Sequence, residues 1–106
     1  MTVVKFLADK NSLYGFYISG HSTENCDDET GKIVCAAISS AALMAANTVT
    51  DIIGDSAEAK VDDAEMLFEV KNPSLATIKV LEGLKLHLVT LSGQYSNNIK
   101  IYGGAK

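Results

Sequence analysis

The chain has 106 residues, 47% of them apolar and 21% charged, with a formal net charge of −4. That is enough for one hydrophobic core and too little for two, so residues 1–106 are expected to form a single domain. The lysines are scattered singly, which argues against a nucleic-acid footprint; with no apolar run of membrane-spanning length and no leader pattern, a soluble cytoplasmic protein without membrane contact is expected.

Thr2 to Leu7 and Leu13 to Ser19 are rich in Val, Phe, Tyr and Ile and flank the polar turn Asp9-Lys10-Asn11-Ser12, which predicts a β-hairpin. Ser22 to Gly31 is polar and acidic (Glu24, Asp27, Asp28, Glu29) with no period that would bury a face, so an exposed, mobile loop is expected. From Ile33 onward Val34, Ile38, Ala41, Ala45, Val49 and Ile52 recur at three- and four-residue steps, predicting a helix that ends near Gly54. Its other positions hold Ala36, Ala37, Ser40, Ala42 and Ala46, small enough for close approach on more than one side.

Ala57, Ala59 and Val61 alternate with polar residues, and Met66, Phe68 and Val70 do so again after Asp62-Asp63-Ala64, the signature of a second hairpin. Asn72 as N-cap and Pro73 at the first helical position predict a second helix, with Leu75, Ile78, Leu81, Leu84, Leu88, Leu91 and Tyr95 as its apolar stripe. Gly83 costs that helix about 1 kcal/mol relative to Ala and is read as a point of close helix contact. Asn98 to Tyr102 supplies a last short strand. The expected fold class is α+β: two layers, with two helices packed on one mixed or antiparallel sheet of about five strands.

The chemistry concentrates between the first hairpin and the first helix. Gly20-His21 closes a predicted strand, and Cys35 is placed at the start of a helix, where free N–H groups and the dipole favour a thiolate. A neutral His21 imidazole within reach would take the thiol proton and return a proton to the leaving amine. Helix-terminal N–H groups would serve as oxyanion donors, and Ser39, four residues on, shares the Cys35 face. Cys26 and Cys35 are both read as thiols, as expected for a cytosolic chain with a sufficient core. Spacing alone leaves a second reading open, in which Cys35 is a small core residue and His21 a strand-end residue satisfied by water.

The string Ser19-Gly20-His21, followed by a loop and Gly31-Lys32-Ile33-Val34-Cys35-Ala36-Ala37-Ile38-Ser39, resembles the signature of the ribosomal-processing cysteine proteases, the Prp family. The ending Tyr95-Ser96-Asn97-Asn98-Ile99-Lys100-Ile101 is also similar. The resemblance implies a homodimeric endopeptidase that removes the N-terminal extension of a large-subunit ribosomal protein, the twenty-seventh, without metal or cofactor. It places the nucleophile at Cys35, the base at His21 and a supporting serine at Ser39, with Gly20, Ser22, Gly31 and Lys32 at the substrate-binding positions around them. It also implies that the loop between His21 and Cys35 rearranges to admit substrate. Lys32 stands where the family usually has Asp, and Ser22 where it more often has Ala. An acid there would orient the histidine; a lysine cannot, although its charge lowers a neighbouring thiol's pKa, and Asp27, Asp28 or Glu29 are the available replacements.

Cys26 is read as an incidental exposed thiol, since His21-x4-Cys26-x8-Cys35 lacks the close paired ligands of a structural zinc site. His87 is assigned to packing at the edge of the second helix's stripe. The acidic loop would attract a basic peptide. Two further readings belong to other classes: a non-catalytic dimeric binding module in ribosome assembly, and a redox sensor pairing Cys26 with Cys35.

Overall fold

The computed structural model describes residues 1–10, 12–20, 29–62 and 65–103. Its strands are β1 (Thr2–Asp9), β2 (Ser12–Ser19), β3 (Ala57–Val61), β4 (Glu65–Val70) and β5 (Ile99–Gly103); its helices are α1 (Glu29–Asn47) and α2 (Leu75–Gln94). A π-helical segment, Thr48–Ile53, extends α1. The sheet order is β3-β4-β2-β1-β5, antiparallel throughout except that β5 runs parallel to β1. This is the expected two-layer α+β arrangement with a mixed sheet.

Alternation decides which side chains meet the helices. Val4 and Phe6 of β1, Phe16 and Ile18 of β2, and Met66, Phe68 and Val70 of β4 are all buried, while their neighbours Lys5, Tyr17 and Leu67 lie on the opposite side of the pleat. A bulge between Leu7 and Ala8 shifts the β1–β2 register so that Ala8 pairs with Leu13, and Leu13 is thereby returned to the core.

Helix α1 contributes Val34, Ile38, Ala42, Ala45 and Ala46, with Val49 continuing the stripe. Ile52, expected on that stripe, is 79% exposed. The wider π turn breaks the three- and four-residue phase after Val49, so a residue three positions on no longer returns to the core face. Gly54, at φ 91°, closes the segment with its N–H donating to the Val49 carbonyl. Within the 25 residues Glu29–Ile53 an 18-residue stretch reaches a mean hydropathy of 1.7, long and apolar enough by composition to cross a membrane, contrary to the expectation that no such run exists. The alanines account for much of that apolarity, and the stripe from Val34 to Val49 is packed on the sheet as the core helix of this fold.

Helix α2 begins later than expected. Ser74, not Asn72, is the N-cap, its hydroxyl accepting from the Thr77 N–H, and Leu75 is consequently exposed while Thr77 is buried. The choice is made by Asp55, which lies far back in the chain. Its Oδ2 accepts from the Ser74 N–H at 2.8 Å, the Ser74 hydroxyl at 2.9 Å and the Thr77 hydroxyl at 2.6 Å. The Thr77 hydroxyl, then the Ser74 N–H and hydroxyl, hold the Asp55 carboxyl below its ordinary value. A lowered folded-state pKa stabilises the fold above the ordinary carboxylate range, and the contribution is lost as pH falls through the folded value. Asp55→Asn is therefore expected to melt at a lower temperature than the parent at pH 7, with the gap shrinking by about pH 3; an equal gap at both pH values would remove the assigned cause.

The reading of Gly83 as a close helix contact is not upheld. A Cβ built there meets nothing within 4 Å, and Gly83 instead lines an apolar cleft between the helices with Ala37, Ala41, Met44, Leu84 and His87. His87, beside Leu84 at the stripe's edge, also lines this cleft and is exposed in the single chain. With space available, Gly83→Ala should stabilise the chain by about 1 kcal/mol, read as a higher melting temperature.

Candidate active site

Cys35 lies on α1, half-buried, with Val34 and Ile38 beside it anchored in the core. It is the seventh residue of α1, in the second turn and not the opening one. Glu29 to Gly31, assigned to the loop from their polarity, already belong to the helix. The N–H groups outside the helix ladder are those of the first turn, and the dipole's effect fades within that turn. The helix terminus is thus a weaker source of thiolate stabilisation than its expected place at the start suggested.

Gly31, buried, and Ser39, half-buried, stand one turn before and one turn after Cys35, so the three share a face. Lys32 is exposed. His21, Ser22 and Cys26 lie outside the described residues, as does most of the acidic segment.

The backbone that leads to His21 is nevertheless fixed as far as Gly20. Gly20 adopts φ 80°, and a Cβ there would lie 2.7 Å from the Met1 carbonyl oxygen and 3.8 Å from the Thr2 Cα. Both the left-handed conformation and the close approach require glycine. Thr2 in turn is 2% exposed, and its Oγ1 lies 3.6 Å from the Cys35 Sγ. One residue therefore lies between the turn that precedes His21 and the sulfur on α1. Sequence reasoning missed Thr2. The available signal was its phase with Val4 and Phe6, which aims a hydroxyl inward where it needs a partner.

The expectation of thiols fails at Cys35, whose sulfur is disulfide-bonded in this structure. That expectation rested on a reducing compartment, and a half-buried sulfur follows its redox surroundings rather than the size of the core. A disulfide sulfur carries neither proton nor anion, so a thiol or thiolate at Cys35 belongs to the reduced chain.

The family model described as "Cysteine protease Prp" matches residues 1–100. The chain belongs to the cysteine protease Prp family. No curated protein sequence matches it. Among solved structures it is similar to the Prp ribosomal processing protease of S. aureus in complex with a substrate peptide, with a TM-score of 0.87, 18% identity, and 97% of this chain and 100% of that one covered. The same protease with a covalently linked product peptide gives a TM-score of 0.80 at 19% identity, again with 97% and 100% covered. SMU.848 from Streptococcus mutans gives 0.85 at 19% identity, with 96% and 97% covered. Like other members of the Prp family, this chain is a cysteine protease, and its open five-stranded sheet carrying two helices is the fold of those neighbours.

Proposed function

We propose that the chain removes the N-terminal extension of a basic ribosomal protein precursor, the twenty-seventh of the large subunit, with Cys35 as nucleophile and His21 as general base. The single observation that carries this is the contact of the Cys35 sulfur with Thr2, whose backbone neighbours the Gly20 turn from which His21 directly follows in sequence. In the reduced chain His21 takes the Cys35 proton, the sulfur attacks the scissile carbonyl, and the protonated ring delivers its proton to the departing amine. Water then releases the acyl group. Ser39, on the Cys35 face, supports the nucleophile's orientation, and Gly20, Ser22, Gly31 and Lys32 contact the peptide. The substrate class is favoured by the S. aureus neighbour, a ribosomal processing protease, and by this chain's net charge of −4, which attracts a basic partner.

The working form is a cytoplasmic homodimer, a reading supported by exposed Leu43 and Met44 on α1 and Leu86 on α2; sedimentation at micromolar concentration measures it, and a monomer contradicts it. The function is tested by incubating the reduced chain with a peptide spanning the precursor extension and reading products by mass spectrometry. One cut is expected. An intact peptide, or many unrelated cuts, contradicts the assignment.

A further inference from the structure

Two polar side chains among the described residues are essentially buried, Thr2 and Thr77. The Thr77 hydroxyl is committed to Asp55 at 2.6 Å. The Thr2 hydroxyl is directed at the Cys35 sulfur. A disulfide sulfur has no proton, so in this contact the hydroxyl donates and the sulfur accepts. An oxygen-to-sulfur separation of 3.6 Å suits the larger radius of sulfur. On reduction and ionisation the same sulfur becomes an anion, and a donor to an anion is the stronger kind of hydrogen bond.

We infer that Thr2 is a positioning residue for the nucleophile: its hydroxyl donates to the Cys35 thiolate, holding the sulfur in place and favouring its ionised form. This rests on the reading of Cys35 as nucleophile. The residue is well fixed for the task. Its N–H donates to the Asn98 carbonyl at 2.8 Å, its Cα is paired with Ile99 of β5, and Gly20 closes over the Met1 carbonyl beside it. The donor also supplies what the helix gives only weakly, because Cys35 is a full turn beyond the first N–H groups of α1. The charged groups on α1 near the sulfur in sequence are Glu29 and Lys32, both exposed. On β5 the residues paired with Thr2 and Val4 are Ile99 and Ile101, and the one lysine between them, Lys100, pairs with Val3 on the other side of the pleat. Substitution at position 2 alters none of these charges.

The test compares Thr2→Val, Thr2→Ala and Thr2→Ser in the reduced full chain. The pH dependence of iodoacetamide alkylation is followed on the Cys35-containing peptide by mass spectrometry, alongside kcat/KM on the precursor peptide. Thr2→Val and Thr2→Ala should raise the alkylation midpoint by about one pH unit and lower kcat/KM about tenfold below that midpoint. Thr2→Ser, which keeps the hydroxyl but loses the methyl, should stay with the parent. Serine and alanine lose the same methyl, so their difference isolates the hydroxyl even where the valine variant folds poorly. Parent midpoints in Val and Ala, or a serine variant that moves with them, overturn the role of Thr2. Cleavage surviving in Cys35→Ala would instead overturn the nucleophile assignment itself, and the two failures are read separately.

Discussion

Cys35→Ala is expected to reduce cleavage of the precursor extension by about 10,000-fold or more, to the level left by binding and carbonyl polarisation alone. In the proposed mechanism the sulfur is the atom that forms the covalent bond, and no neighbouring side chain on α1 replaces it: Ser39 sits a full turn away and a serine hydroxyl ionises far less readily than a thiol. The parent chain should imitate this variant when Cys35 is oxidised. A small dithiol such as dithiothreitol reduces the disulfide to two thiols and is itself oxidised to a cyclic disulfide. Its addition is therefore expected to switch on the parent and leave Cys35→Ala silent. Full activity of the parent with Cys35 held in its disulfide, measured by mass spectrometry of the same sample, would contradict the sulfur's role.

Phe16→Ala should lower stability by about 4 kcal/mol, within the range for deleting a buried aromatic ring. Phe16 is 0% exposed on β2, the central strand, where it is opposite Phe6 on one side and Phe68 on the other. Its ring stacks on Phe68 with centroids 5.4 Å apart. The variant loses transfer energy, the stacked pair and close packing at once, and neighbours on a sheet cannot collapse into the gap. A domain of this size typically has about 5–15 kcal/mol in hand, so the loss is a large share of the total. Urea unfolding followed by circular dichroism measures it; a midpoint near the parent's would place the ring outside the core.

The strands were legible because their period of two is imposed by a sheet buried on one side. Thr2, Val4 and Phe6, or Met66, Phe68 and Val70, state the buried face directly. What stayed hidden depended on distant partners. Ser74 becomes the cap of α2 because Asp55 reaches it across nineteen residues, and nothing local distinguishes it from Asn72. The first turn of α1 is polar and so showed no apolar stripe, while the π segment moved Ile52 out of phase without any proline or glycine to announce it. At the site, the strings around His21 and Cys35 were readable as a resemblance, and the family match upholds that reading. The neighbour of the sulfur was not readable, since Thr2 is thirty-three residues away in the chain.

The parallel pairing of β5 with β1 ties Thr2 to Ile99, residues far apart in the sequence. Both hairpins form between neighbouring segments, but the strand that clamps residue 2 comes from beyond α2. The surroundings of the sulfur therefore stay unfinished until this long-range pairing has formed. Removing β5 would loosen the seat of the Cys35 sulfur without touching any residue near it in sequence.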